Sequence, residues 1–457
     1  MRLTFDAIAR HLGLSVRAEG LALSSAVTDS REAAPGALFV CIPGNRVDGH
    51  DYAQDAITRG ASALLVSRHM SGIHVPTLCV EDTVKALGEI ASLWRNKTKA
   101  RVVGVTGTAG KTTVKDVLAQ TLAVHGKTAK SPVNNNNQIG MPRAILATDG
   151  DEQFWVMEAG ISHANDMEEL ASILRPDLGL ILNVGAGHTE GLGEKGVAWH
   201  KTRMLKHLSS SGVGVVCADY PDLMNEARAT GAELYLFGTE SSKVACHATY
   251  LQPDPQVAGR GEFRLCIEGH HREVVAPFLG QYGAENVAAV AMCAHVLGLT
   301  FDEIANGLAV ASLPQQRFRE ISSGAWVCID DTYNANPLSM HRMLEASAER
   351  AVGRTLVVVL GEMLELGDLA VCEHEALGRH LARLKPVAVF WKGGHADSVR
   401  LGLNSGGYQG FWMPIEDENQ FSRAWKKLFP MTHPGGVVLF KGSRGNHMEN
   451  LLSVLIG

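Results

Sequence analysis

The sequence lacks the features that mark secreted and membrane-spanning proteins. None of its eight cysteines forms a CxxC pair, so we expect buried thiols in a reducing compartment. No apolar run reaches the roughly 18 residues that a transmembrane helix requires. Residues 1–14 carry charged side chains and no uninterrupted apolar core, so we expect no signal peptide. These absences predict a cytoplasmic protein without a membrane span.

A strong net charge is also absent. The formal charge of -6 argues against a nucleic-acid partner and leaves room for local basic pockets that bind small anionic substrates. The rest of the composition, 46% hydrophobic and 20% charged, is typical of a folded globular protein. A chain of 457 residues is too long for one hydrophobic core. Strand and helix patterns alternate throughout, so we predict three α/β domains, at residues 1–98, 99–312 and 313–457.

The stretch RVVGVTGTAGKTT, residues 101–113, predicts a phosphate-binding loop between a strand and a helix. Backbone N–H groups of such a loop bind phosphate oxygens, and Lys111 can reach the terminal phosphates. A threonine hydroxyl can ligate Mg²⁺. The Walker pattern is incomplete, because Val105 stands where its first glycine would be. A glycine turn without a ligand is the alternative, but the strand-loop-helix context favours nucleotide binding.

Polar residues follow the next two predicted strands of this region. Glu158 ends FWVMEAG, and His188 follows LGLILNVG, where open parallel sheets place ligand chemistry. Glu158 is suited to Mg²⁺, although a helix cap or an ion pair would also explain a glutamate here. His188 is suited to a metal or a phosphate, although it could also be a loop histidine without a function. Lys201 falls on the apolar stripe of a predicted helix at 194–208. It either extends to the surface or is buried for a function.

Three further loops carry clustered polar groups. The asparagine-rich segment KSPVNNNNQIGMP offers amide donors and acceptors, and DDTYNANP places two acids and two asparagines at a strand end. Asn286 lies near the start of a predicted helix, where its amide could read a nucleobase or cap the helix. Near the N-terminus, Ser30, Arg31, Asp48 and His50 surround tight turns, a combination that suits a diphosphate or a sugar-nucleotide. Residues that only shape those turns are the alternative.

Taken together, these motifs resemble the Mur ligase family. Seven motifs occur in that family's order and span nearly the whole chain: TGTAGKTT, NNNNQIGMP, EAG, NVGAGH, HK, DDTYNANP and LFKGSR. Four segments resemble in particular the family members that join D-alanyl-D-alanine to UDP-N-acetylmuramoyl-tripeptide. They are TDSREAAPGALFV, VDGHDY, YNANP and GEMLELG. The DNPR signature of the relatives that add the third amino acid is absent.

The resemblance implies a UDP-sugar-binding N-terminal domain, a central P-loop ATPase domain and a C-terminal Rossmann-like domain that closes over the site. It implies ATP and Mg²⁺ as cofactors and an acyl-phosphate route to the pentapeptide, ADP and phosphate in peptidoglycan synthesis. We expect a monomer. Another amide ligase of this architecture, such as a folylpolyglutamate-type enzyme, and a nucleotide-dependent switch protein are the alternatives.

The resemblance also assigns individual residues. Catalytic roles fall on Lys111, His188 and Lys201, and Lys201 resembles the family's carbamylated lysine. Metal ligands would be Thr112, Glu158, His188 and Lys201. ATP contacts would come from Thr108, Ala109, Gly110, Lys111, Thr112, Thr113, Asn286, Arg317 and Asp331. Substrate contacts would come from Ser30, Arg31, Gly44, Asp48, His50, Asn136, Asn137, Asn334 and Asn336. Two departures, Tyr282-Gly283 for the usual His-Asn and Gln316-Arg317 for Gly-Arg, affect mainly the adenine contacts.

Overall fold

A computed structural model describes residues 1–44, 46–185, 192, 195–239, 244–257 and 259–457. The N-terminal part has a four-stranded parallel sheet in the order β3-β4-β5-β6 and a small antiparallel pair, β1 with β2. Its elements are β1 (Leu3–Thr4), α1 (Phe5–His11), β2 (Ala22–Leu23), β3 (Ser25–Val27), β4 (Ala37–Val40), α2 (Ala53–Thr58), β5 (Ala63–Val66), β6 (Thr77–Cys79) and α3 (Thr83–Arg95).

The central part is built on a nine-stranded sheet in the order β15-β14-β13-β12-β11-β10-β7-β9-β8. Strands β7 to β13 are parallel to one another, and β14 and β15 form an antiparallel extension beside β13. The elements are β7 (Arg101–Thr106), α4 (Lys111–Leu122), β8 (Thr128–Lys130), α5 (Gly140–Leu146), β9 (Phe154–Glu158), α6 (Asp166–Leu174), β10 (Leu178–Ile181), α7 (Gly196–Thr202), β11 (Val213–Cys217), α8 (Pro221–Arg228), β12 (Leu234–Gly238), β13 (Cys246–Pro253), β14 (Gly261–Ile267), β15 (His270–Ala276), α9 (Gly280–Val296) and α10 (Phe301–Val310).

The C-terminal part has a six-stranded sheet in the order β16-β17-β21-β18-β19-β20, in which only β16 is antiparallel to its neighbour. This is a doubly wound α/β arrangement, in agreement with the Rossmann-like domain that the family resemblance implies. The elements are β16 (Arg319–Ser323), β17 (Trp326–Asp331), α11 (Pro337–Arg350), β18 (Thr355–Gly361), α12 (Ala370–Leu384), β19 (Ala388–Lys392), α13 (Ala396–Ser405), β20 (Phe411–Pro414), α14 (Glu418–Leu428), β21 (Gly436–Lys441) and α15 (Met448–Ile456).

The hydrophobic cores show which parts are packed together. One continuous cluster joins Leu38 and Ile90 of the N-terminal part to Trp155 and Leu170 of the central part. The two clusters of the C-terminal part contain residues of that part alone. Burial of apolar area therefore fixes the N-terminal part on the central sheet. The C-terminal part meets the central part through polar contacts, which surround the candidate active site.

Two features of the fold bear on the sequence predictions. No helix in the described parts of the chain is long and apolar enough to cross a membrane. The prediction of buried thiols holds for six cysteines and is wrong for Cys79 and Cys372, which are exposed. Cys79 ends β6, the outermost strand of its sheet, and Cys372 lies in the first turn of α12 on its outer side.

Candidate active site

The phosphate loop runs from the end of β7 at Thr106 to the start of α4 at Lys111. Gly110 has a φ of +82°, a left-handed conformation that costs a residue with a side chain about 1–2 kcal/mol. Lys111 Nζ donates a hydrogen bond of 3.0 Å to the carbonyl oxygen of Gly107, so its side chain folds back across the loop. Burial lowers the pKa of Lys111. Because the N–H groups of the first helical turn have no partner within the helix, this end of α4 can bind an anion.

Asn183, just after β10, holds the loop in place. Its Oδ1 accepts a hydrogen bond of 2.8 Å from the Ala109 N–H, and its Nδ2 donates to the Ala109 carbonyl at 3.1 Å. The same Nδ2 donates to Glu285 Oε1 at 2.9 Å. Asn183 is fully buried. Sequence reasoning missed this residue, although it belongs to the NVGAGH motif.

Glu158 lies at the end of β9, directly beside β7, and is buried. Thr112 Oγ1 donates a hydrogen bond of 2.8 Å to Glu158 Oε2, and Asn136 Nδ2 donates one of 2.8 Å to Oε1. The ion-pair alternative for Glu158 therefore does not describe this geometry, since hydroxyl and amide groups are its partners. A carboxylate and a hydroxyl beside a phosphate loop are the hard oxygen donors that Mg²⁺ binds.

Lys201, at the end of α7, is buried rather than extended to the surface. No described residue forms a hydrogen bond with its Nζ. Burial holds the pKa of Lys201 well below its ordinary value, the nearby Lys111 charge lowers it further, and Glu158 opposes both effects. The amine is therefore uncharged over a wider pH range than an exposed lysine. His188, the other predicted metal ligand of this region, lies outside the described residues.

Two cavities meet at the phosphate loop. The first is bounded by the loop, the asparagine-rich segment, the end of β9 and the loop before α11. It collects most of the predicted phosphate, metal and peptide residues. These are Thr108, Ala109, Gly110, Lys111, Thr112, Asn136, Asn137, Glu158, Arg317, Asn334 and Asn336.

The second cavity lies on the other side of the loop, against α9. Apolar groups such as Phe278 and Leu313 line it together with Asn286. Asn286 lies in the second turn of α9, so it does not cap that helix. Its Oδ1 is buried and has no hydrogen-bond partner among the described residues. An apolar slot with one unpaired amide oxygen suits a flat heterocyclic base with an exocyclic amino group.

The C-terminal part closes both cavities from one side. Asn336 caps α11 and donates a hydrogen bond of 3.0 Å from Nδ2 to the carbonyl oxygen of Thr108 in the phosphate loop. Lys441, at the end of β21, pairs with Asp331 and donates to the carbonyl of Asn334 at 2.8 Å. The Arg317 guanidinium lies 3.9 Å from the centre of the Tyr333 ring. The sequence motif contained Lys441 and Tyr333, but neither received a role from it.

A buried ion pair also crosses between the two parts. Glu285 of α9 and Arg342 of α11 are 2.7 Å apart, and each side chain is only 5% exposed. The Tyr220 hydroxyl donates to Glu285 at 2.8 Å and also contacts Arg342. Since Glu285 also accepts from Asn183, this network connects the C-terminal part to the phosphate loop. Sequence reasoning missed all three network residues.

We expect Arg342→Ala to lower the free energy of unfolding by about 3–5 kcal/mol, because it leaves the Glu285 carboxylate buried without a countercharge. Arg379→Ala is the matched control, since Arg379 pairs with Glu375 on the surface of α12 and its removal should cost less than about 0.5 kcal/mol. Denaturant titration measures both variants. Equal destabilisation of the two would contradict the role given to the buried pair.

The predicted substrate residues of the N-terminal part do not line either cavity. Arg31 is exposed and forms a bidentate pair with Asp29, and Ser30 is buried in the same turn. His50 is buried with its Nδ1 at 2.6 Å from Asp48, while its Nε2 accepts from the Ser67 N–H at 3.0 Å. Asp48 also pairs with Arg68 at 2.7 Å. Gly44 allows a tight turn, because a Cβ there would lie 2.7 Å from the Val47 carbonyl oxygen.

Comparisons with known proteins agree with this architecture. Residues 24–95 match the model of the Mur ligase family, catalytic domain, residues 105–294 the Mur ligase middle domain, and residues 316–444 the Mur ligase, glutamate ligase domain. UDP-N-acetylmuramoyl-tripeptide–D-alanyl-D-alanine ligase of Escherichia coli (strain K12) is 33% identical over 441 residues, which cover 95% of this chain and 94% of that protein.

Solved structures give the same result. MurF from Acinetobacter baumannii has a TM-score of 0.90 and 27% identity, with 100% of this chain and 99% of that chain covered. MurF from Thermotoga maritima in complex with ADP has a TM-score of 0.83 and 27% identity, with 96% and 98% covered. The predicted three-domain α/β architecture is confirmed, and the chain belongs to the Mur ligase family.

Proposed function

We propose that the chain joins D-alanyl-D-alanine to UDP-N-acetylmuramoyl-tripeptide at the expense of ATP, in the synthesis of peptidoglycan precursors. The observation that carries this proposal is the meeting of two cavities at one phosphate loop, since a ligase must bring a nucleotide and an acceptor carboxylate to the same phosphoryl group. The names of the relatives identify the substrates: those that match over nearly the whole chain are UDP-N-acetylmuramoyl-tripeptide–D-alanyl-D-alanine ligases.

In the proposed reaction, the terminal carboxylate of the tripeptide attacks the γ-phosphorus of ATP and displaces ADP, which gives an acyl phosphate. The amine of D-alanyl-D-alanine then attacks the acyl carbon. The tetrahedral intermediate expels phosphate, the nitrogen loses a proton, and an amide bond remains. No side-chain nucleophile is required, so catalysis rests on positioning and on neutralising charge.

In this scheme the second cavity holds the nucleoside and the phosphate loop holds the phosphates. Asn286 would accept a hydrogen bond from the adenine amino group, and Lys111 would neutralise the transferred phosphoryl group. Thr112 and Glu158 would hold Mg²⁺, which fits their paired hard oxygens and would supply electrostatic stabilisation of the phosphate charge. Arg317 and Asp331 would approach the nucleotide from the C-terminal side. The remaining proposed nucleotide contacts are Thr108, Ala109, Gly110 and Thr113.

We propose that Lys201 acts as a carbamate. A neutral amine can add CO₂ with release of one proton, and the lowered pKa of Lys201 favours the neutral form. The product is an anion, which would remove the repulsion from Lys111 and offer oxygen ligands to a cation. His188 remains a predicted ligand of the same region.

The peptide substrate would occupy the first cavity, between Asn136 and Asn137 on one side and Asn334 and Asn336 on the other. The uridine nucleotide would bind the N-terminal part, near the turns that contain Ser30, Arg31, Gly44, Asp48 and His50. We place the domain boundaries near residues 98 and 312.

Because one chain lines both cavities, a monomer would be sufficient for activity. The proposed nucleotide substrates are found in the cytoplasm, so we propose that the protein acts there.

Phosphate release by the purified protein tests the proposal. We expect release only when ATP, Mg²⁺, UDP-N-acetylmuramoyl-tripeptide and D-alanyl-D-alanine are all present, with one amide product formed per phosphate. Omitting each substrate in turn provides the control. Phosphate release that does not depend on both D-alanyl-D-alanine and the tripeptide would refute the ligase, and would favour a nucleotide-dependent switch.

A further inference from the structure

Three metal-binding side chains form a row across the antiparallel extension of the central sheet. His247 of β13 is directly opposite Cys266 of β14, and Cys266 is directly opposite His271 of β15. Directly opposed residues of antiparallel strands point to the same face and have Cβ atoms about 4.5–5.5 Å apart. This face is the outer one, because the alternate residues Cys246, Leu265 and Ile267 belong to the hydrophobic core on the other side.

The distances within the row fit a metal ion. The Cys266 sulfur lies 3.7 Å from Nε2 of His271, and the ligand atoms of all three residues lie within 4.8 Å of one another. Zinc–sulfur and zinc–nitrogen bonds with tetrahedral angles place a sulfur and a nitrogen ligand about 3.5 Å apart. Two of the three ligands, Cys266 and His271, are therefore close to the required spacing.

The surroundings of the row also indicate a ligand. Cys266 is only 4% exposed although it lies on the outer face, and His247 Nδ1 is buried without a hydrogen-bond partner among the described residues. A buried imidazole nitrogen without a partner loses free energy unless something binds it.

A second cluster of possible metal ligands lies in the C-terminal part. His341, Glu345 and His380 also lie close together. Arg383 donates a hydrogen bond of 2.9 Å to Nδ1 of His380, so the proton of that ring is on Nε2 and faces Glu345 at 3.4 Å. His380 Nε2 is itself buried without a hydrogen-bond partner among the described residues, but it carries the ring proton, so the neutral ring has no free lone pair for a metal.

We propose that His247, Cys266 and His271 form a binding site for Zn²⁺ or a similar borderline-soft divalent ion. One thiolate and two imidazoles favour such an ion over Mg²⁺ or Ca²⁺, which prefer oxygen. Because His271 is exposed, the fourth position faces solvent and would hold water. The ion links strands β13, β14 and β15. The core face of β13 packs on α9, where Cys246 Sγ donates to the Ala288 carbonyl. A bound ion would therefore stabilise the strands against which the Asn286-containing helix packs.

Cobalt titration of the full-length protein, without a polyhistidine tag and stripped of metal with a chelator, tests this site. We expect one Co²⁺ per chain at the site, with a thiolate-to-metal charge-transfer band and the visible bands of tetrahedral Co²⁺, and displacement by Zn²⁺. Cys266→Ser should abolish the charge-transfer band. His247→Ala and His271→Ala should each weaken binding by at least about tenfold, since even residues that only support a ligand cost that much.

Cys372→Ser and His270→Ala are the matched controls, because both residues are exposed and neither belongs to the row. Both should bind Co²⁺ as the unmodified chain does. The site is refuted if the unmodified chain shows no charge-transfer band, or if the band survives in Cys266→Ser. Should Cys266→Ser fail to fold by circular dichroism, the exposed His271→Ala decides: unchanged Co²⁺ affinity in that variant refutes the site. The readout is spectroscopic, so it does not depend on the proposed ligase activity.

Discussion

We expect Lys111→Ala to lower kcat for phosphate release by about 10³-fold while the chain remains folded. Lys111 lies at the phosphate loop: its side chain folds over the loop and its Nζ reaches the Gly107 carbonyl. Negative charge on the transferred phosphoryl group and its leaving oxygen must be neutralised in a site shielded from water. Removal of one such preorganised donor costs about 10²–10³-fold in kcat in other enzymes, and a full positive charge should reach the upper end.

Lys127→Ala is the control for this experiment. Lys127 precedes β8, is half-exposed and pairs with Asp149 and Asp151 on the surface, so kcat should change less than twofold. ADP affinity, measured by calorimetry on both variants, separates nucleotide binding from chemistry. Retention of more than a tenth of the original kcat in Lys111→Ala would contradict the placement of the terminal phosphate at this loop.

We expect Lys201→Ala to lose about 10²–10³-fold in kcat, and a small carboxylic acid such as acetate to restore part of it. The reason is that a carbamate at Lys201 would supply an anion that alanine lacks, and a free acid could occupy the space left by the side chain. In the enzyme without substitutions, removal of CO₂ and bicarbonate should reversibly lower activity, because the carbamate forms from the neutral Lys201 amine and CO₂. Kinetic assays with and without these additions measure both effects.

Lys206→Ala is the matched control, since Lys206 follows α7 on the exposed side of the same segment. It should respond to neither acetate nor bicarbonate. Full activity in Lys201→Ala would remove this residue from the site. Suppose that no acid restores the activity of Lys201→Ala and that the enzyme without substitutions does not depend on bicarbonate. This outcome would contradict the carbamate, and the burial of Lys201 would then need another explanation.

The parts of the site that were predictable are those coded by neighbours in the chain. An apolar run, two glycines and Lys111 within 13 residues define a strand, a turn and a helix start, and all three form where expected. Glu158 was predictable because it ends a buried strand, and β9 is indeed adjacent to β7. Lys201 stood out because a lysine on an apolar stripe is costly to bury.

The parts that were missed depend on residues far apart in the chain. Asn183 is an ordinary polar residue by local pattern, and its role arises only because β10 pairs with β7 and brings it to Ala109. Glu285 and Arg342 are 57 residues apart and lie in different domains. The row formed by His247, Cys266 and His271 exists only in one strand register, since a one-residue slip would send a member to the opposite face.

By itself, the sequence determined the class of the protein: three α/β domains, a phosphate loop and the motifs of the Mur ligase family. These depend on hydrophobic periodicity and on short spacings, which local sterics and hydrogen bonding translate directly into structure. Only the tertiary structure decided how the pieces meet. Strand order and domain packing produce the two cavities beside the loop, the Glu285–Arg342 contact between domains and the hydrogen bonds from Asn183 to the loop. The reason is that side chains distant in the chain become neighbours only after the sheets have assembled.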